Sequence, residues 1–168
     1  MNTETVQQTS IRFTHTLTVG PLVGVFDPNK FFHDRRDDVN LYVWGDFESR
    51  ILASARPVSD QPSADLSAYI LTNNMYDSEV RAQLPAGYVF NLDDIWMIGA
   101  AIALQPKGES GKLLTNGYAN LFYVQVGERV FAVDVRWRRG HGDWYVGAWG
   151  PGGRGPWFTA GQVFSRNG

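Results

Sequence analysis

The sequence contains no cysteine. That excludes a disulfide framework, a thiolate metal site and a cysteine nucleophile. Histidine is scarce: His15, His33 and His141 stand in separate segments, so no H-E-x-x-H or cysteine–histidine metal pattern can be written. No serine sits in a G-x-S-x-G elbow, and the glycine-rich stretch from Gly150 to Pro156 lacks the Lys-Ser/Thr ending of a phosphate loop. Charged residues make up only 19% of the chain. Long apolar runs are also missing. The longest, Ile95 to Leu104, falls far short of the roughly 18 residues that suggest a membrane span. The first residues, Met1 to Ser10, are polar and carry Glu4 without Lys or Arg, which does not suit a secretory signal. These absences predict a soluble, cytoplasmic protein without cofactor, metal or membrane span, and not an enzyme.

Aromatic residues and glycine are plentiful. Aromatics reach 14%, with six Trp, and there are 18 Gly, a combination that suits a sheet protein with many tight turns. The 168 residues are about one domain's worth. The expected organisation is a flexible N-terminal arm over 1–10 and a single β-sandwich domain over 11–168.

Ile11, Phe13, His15, Leu17 and Val19 alternate with Arg12, Thr14, Thr16 and Thr18, the period of a strand with one buried face. Further strands are predicted at Val23 to Phe26, Leu41 to Trp44, Phe47 to Ala53, Leu66 to Leu71, Asp143 to Trp149 and Trp157 to Phe164. The run from Ile95 to Leu104 reads as a strand buried on both faces, although its periodicity also allows a core helix. The clearest local signal is Tyr118 to Val126, then Gly127-Glu128, then Arg129 to Trp137, a hairpin with glycine first in a type II′ turn. In its second arm Phe131, Val133, Val135 and Trp137 share one face, and Asp134, Arg136 and Arg138 the other. Arg56 to Asp65 reads as a long surface loop. Short strands with turn signals between them predict an all-β antiparallel sandwich or barrel.

The net charge of −2 hides an asymmetry. From Lys107 onward eight basic residues face four acids, so the first part of the chain is strongly acidic. That favours head-to-tail contacts between copies or a basic face toward an anion, unless the fold mixes the two regions.

Residues capable of chemistry are few. His33, Asp34, Asp37 and Asp38 could bind a divalent cation, but on a solvated loop local ion pairs are expected instead. Asp93-Asp94 reads as a turn rather than a catalytic dyad. His141 with Asp143 resembles a relay but has no serine partner. An enzyme reading would need a barrel pocket lined by His15 or Asp93. The stretch of Arg136, Arg138, Arg139 and Arg154 with Trp144, Trp149 and Trp157 is the main candidate site. The arginines suit nucleic acid or a neighbouring subunit. The tryptophans, if exposed, suit a glycan or an interface, so a β-sandwich carbohydrate-binding module is the alternative to a structural role.

Thr72-Asn73-Asn74-Met75, then Gln83-Leu84-Pro85, then Tyr88-Val89-Phe90 leading into Ile95 and Ile98, with a hairpin strand from Leu121 to Val130, form an ordered series. The series, covering Thr72 to Phe131, resembles segments of the jelly-roll capsid proteins of tailless icosahedral phages. The resemblance implies a single jelly roll, a structural subunit that assembles with copies of itself or with other subunits, and location in a virion.

Overall fold

The structure, a computed structural model, describes residues 9–151, 153 and 155–166. The hairpin lies at its centre. β8 (Asn120–Val126) and β9 (Arg129–Arg138) pair antiparallel from Asn120 opposite Val135 to Val126 opposite Arg129. Gly127 turns the chain at φ 61°, while Glu128 keeps a negative φ, as a II′ turn requires. β10 (Asp143–Trp149) continues the meander antiparallel to β9.

Around this centre stand β1 (Ile11–Val19), β3 (Arg35–Arg36), β4 (Asn40–Val43), β6 (Ala64–Leu71), β7 (Phe90–Asn91) and β11 (Gln162–Ser165). The nine strands form one sheet in the order β1-β6-β11-β8-β9-β10-β4-β3, with β7 also against β8. β2 (Leu22–Phe26) and β5 (Val58–Gln61) make a separate two-stranded sheet within the region expected to be loop and short strand. The protein is mainly β, but the large sheet is mixed: β4 runs parallel to β10, and β7 and β11 run parallel to β8. Uniform antiparallel pairing is therefore corrected, because partner direction is set by distant segments that leave no local mark.

Two predicted strands are helices. α2 (Gly45–Arg50) replaces the strand expected at Phe47 to Ala53, and α4 (Trp96–Ala103) replaces the one at Ile95 to Leu104. In α2, Asp46 and Glu48 lie in the first turn and Arg50 in the last, which matches the helix dipole, and Phe47 and Ile51 bury one helical face. α4 follows a single 3-10 turn at Leu92–Asp94, where the Asp94 carboxylate accepts from Asn91 N–H at 2.8 Å. Its Ala-rich sequence favours helix, and Gly99 lets it approach β2: a Cβ there would stand 2.9 Å from Phe26 Cζ. Two shorter helices are α1 (Pro28–Phe31), capped by Asp27, and α3 (Asp77–Gln83). No helix among the described residues is long and apolar enough to cross a membrane.

The sheet separates two cores. On one face Phe122, Val124, Val133, Val135, Trp144, Val146 and Phe164 pack with α4, Phe32 and Phe47. On the other, Leu121, Tyr123, Ala132 and Val163 pack with Leu71, Met75, Trp157 and Val80 of α3. The strict period of two along β8 and β9 puts successive side chains into alternate cores. The N-terminal arm falls mostly on residues 1–8, outside the described residues; Ser10 already continues the pairing of β1, its C=O accepting from Thr72 N–H at 2.9 Å.

Candidate functional site

The second face of β9 and β10 carries the polar side chains of the main candidate stretch. Asp134 is fully buried, and Arg136 donates to it from Nε at 3.1 Å and from Nη2 at 2.5 Å. One register further, Asp143 accepts from Arg138 Nε at 2.8 Å and Nη2 at 2.9 Å, and from Arg36 Nη2 at 3.0 Å. The Arg138 guanidinium also lies 4.3 Å from the centre of the Tyr42 ring. Hydrogen bonding to Asp143, its largest influence, raises the Arg138 pKa further. Beside these pairs, Tyr42 stacks with Tyr145 at 6.3 Å, and Trp44 touches both Tyr145 at 5.9 Å and Trp149 at 5.5 Å. Burial pushes the Tyr145 hydroxyl up to about 12, with the Asp134 charge adding to it.

Arg136 and Arg138 thus neutralise buried carboxylates, whereas Arg139 is exposed on the β9–β10 turn. Arg154 lies outside the described residues. Of the three tryptophans, only Trp149 is on this face and partly exposed. Trp144 and Trp157 are buried, which corrects their reading as exposed ligand or interface aromatics, although Trp157 still lines a cavity described below. Trp144 Nε1 donates to the Gln105 C=O at 2.7 Å, and Trp157 Nε1 donates to Asp77 Oδ1 at 2.7 Å. Each indole fills apolar volume and spends its one donor inside the protein.

The charge asymmetry is partly consumed by the fold. Arg166 bonds Asp94 at 2.8 Å, and Arg36 bonds Asp143, so ion pairs join the acidic and basic regions within one chain. Asp94 caps the turn before α4 and forms no dyad with Asp93. In the His33–Asp38 segment, Asp34 Oδ1 accepts from Val43 N–H at 2.7 Å. The Arg35 hydrogen bond holds the Asp38 carboxyl below its ordinary range. No three His, Asp or Glu side chains converge for a metal among the described residues. His141 is exposed in a turn whose carbonyl accepts from Arg36 at 2.7 Å. His15 Nε2 lies 3.3 Å from the Lys112 carbonyl, against Phe164.

A cavity of about 260 Å³ opens on the same sheet face. Its wall is formed by Leu71, Leu121, Trp157 and Arg136, and its rim by Tyr118 and Phe158, which are 41% and 59% exposed. Sequence reading missed this site. The alternation starting at Trp157 does place Phe158 on the opposite side from a buried indole, and Asn116-Gly117 before Tyr118 is a turn signal. What it could not provide is the meeting of residues 71, 118, 136 and 158, which are far apart in the chain. No family model, no curated protein and no solved structure matches this chain.

Proposed function

We propose that this protein is a non-enzymatic structural protein that assembles with copies of itself, most concretely as a jelly-roll subunit of a virion. The observation that supports this reading is the open edge of β1. The Ser10 C=O accepts from Thr72 N–H while Ser10 N–H donates to Gln83 Oε1 at 2.6 Å, and the register shifts by one residue between Phe13 and His15. Counting in twos from there, the N–H groups of Ile11, Phe13, Thr16 and Thr18 point away from β6. Among the described residues β1 ends the sheet and pairs only with β6, so no strand lies against these four N–H groups. The strand is nine residues long, has no proline and carries Arg12 as its single charge. Its Phe13 is 53% exposed.

Such an edge is a template for another strand, and soluble proteins ordinarily blunt it with proline, lysine or a cover. β1 antiparallel to β1 of a second copy satisfies both edges through one two-fold axis. Tyr42, Tyr145 and Trp149, partly exposed, and Arg139, exposed, supply a second surface of the composition that dominates interface energetics.

Light scattering across protein concentration tests the reading. A concentration-dependent dimer or larger particle is expected. Its mass should hold at high salt, because strand pairing is not an interaction between exposed charges. Thr16→Pro removes an outward N–H without touching the β1–β6 ladder, and should shift the particle to monomer with an unchanged circular dichroism spectrum. A strict monomer at the highest soluble concentration overturns self-assembly. A dimer that never grows into a shell under electron microscopy overturns the virion form alone.

A further inference from the structure

We infer that the cavity beneath Tyr118 and Phe158 is a binding site for a single sugar ring. The inference does not depend on self-association. Its first support is the way the two aromatics are presented. Phe158 begins a turn pinned at four points: Thr159 N–H donates to Asn74 Oδ1 at 2.8 Å, Thr159 Oγ1 to the Leu71 C=O at 3.2 Å, Ala160 N–H to the same carbonyl at 2.8 Å, and Gly161 N–H to the Phe158 C=O at 3.1 Å. Ala160 adopts φ 72°, a left-handed conformation that costs a residue with a Cβ about 1 kcal/mol or more. Four hydrogen bonds fix the turn whose first residue presents a large apolar side chain to solvent. Tyr118 is held similarly, its N–H donating to Asn116 Oδ1 at 3.1 Å after Gly117 at φ 89°.

The second support is the polar equipment. Arg136 spends Nε and Nη2 on Asp134, and Nη1 has no hydrogen-bond partner among the described residues. Asn116 Nδ2 is likewise without one. A guanidinium edge and an amide are donors suited to vicinal hydroxyls, while the aromatic rims and the Leu71, Leu121 and Trp157 wall suit the C–H face of a sugar ring. The third support is size. About 260 Å³ exceeds the roughly 150 Å³ cavity known to take a benzene ring, enough for one ring and small for a buried chain of them. Because the backbone beneath both aromatics is already hydrogen-bonded, the two turns need little further ordering when the ring enters.

The test is a titration of the full chain with the methyl glycosides of glucose, galactose, mannose and N-acetylglucosamine, followed by amide chemical shifts. At least one glycoside should saturate with a Kd of roughly 1–10 mM, the range that a dozen ligand atoms give at ordinary efficiency. The shifts should centre on Gly117, Tyr118, Phe158 and Gly161. Phe158→Ala and Tyr118→Ala change exposed side chains, so the fold should persist while affinity falls about tenfold, equivalent to 1.4 kcal/mol. No saturation by any of the four glycosides overturns the inference. So does benzoate shifting these amides where no glycoside does, since the site is then one for an apolar anion. Shifts of the same amides with protein concentration alone overturn it as well, because a second copy then fills the cavity.

Discussion

At the residue scale, the polar side chains with the most chemical promise are spent on holding the protein together. Asp134 and Asp143 are buried and hydrogen-bonded to arginines from their own sheet face. The arginines are partly exposed, so removing one costs mainly by leaving a buried carboxylate without compensation. His15 behaves differently. Burial first, then the Lys112 charge, lower its pKa below the ordinary 6.5, against the opposing effect of the bond to the Lys112 carbonyl. The folded protein therefore keeps this imidazole neutral where the unfolded chain takes up a proton. The resulting stability is present above the unfolded pKa and is lost as pH falls through the folded one. The urea midpoint should drop as pH falls below about 6.5, and His15→Gln should flatten that part of the profile. An identical slope in the variant would assign the pH dependence to other groups.

At the element scale, α4 shows tertiary packing overriding a local preference. On propensity alone, Gly99→Ala should stabilise a helix by up to about 1 kcal/mol. Here the added methyl would meet the Phe26 ring at 2.9 Å, with Phe31 close behind at 3.3 Å. The expected outcome is a loss of about 1–3 kcal/mol in chemical denaturation, the usual cost of overpacking. A gain in stability would mean that β2 moves aside without cost. The same element shows how an apolar run misleads. Eight residues from Trp96 to Ala103, six of them buried, have no polar face to reveal a helical period. The readable signs were the Asn91–Asp94 capping spacing and the alanines. In α2 the sign was Phe47 and Ile51 four apart, with Asp46 and Glu48 in the first turn and Arg50 in the last.

At the scale of the whole molecule, the sheet is well buried in its middle and open at one side. β8, β9 and β10 are flanked on both edges and contribute to two cores, so their amides should exchange slowest with solvent. The outward amides of Ile11, Phe13, Thr16 and Thr18 should exchange fast in dilute protein. If β1 pairs with β1, the same four should become protected as concentration rises, while their inward-pointing neighbours change little. Hydrogen exchange at two protein concentrations measures this directly, and four unprotected amides in an assembled particle would place the contact elsewhere. The chain's charge asymmetry, which favours head-to-tail contacts when read along the sequence, is reduced by the Arg166–Asp94 and Arg36–Asp143 pairs. Position in the chain and position on the surface are different variables.

Local physics alone was enough to specify the β-rich class, the β8–β9 hairpin with Gly127 at its turn, the strand Asp143–Trp149 and the alternation that sends Val133 and Val135 one way and Asp134 and Arg136 the other. These depend on neighbours two to four residues apart, and such neighbours are written side by side. Three features were decided only by the tertiary structure. Strand direction in β4, β7 and β11 is set by where distant segments arrive. The fate of each tryptophan depends on which face of the sheet is covered: Trp144 and Trp157 are buried, and Trp149 is left partly open. The cavity exists because the ends of β6 and β9 and the turns at Gly117 and Gly161 meet at one place. Alternation tells which residues share a face, but only the completed fold tells which face is left to the solvent.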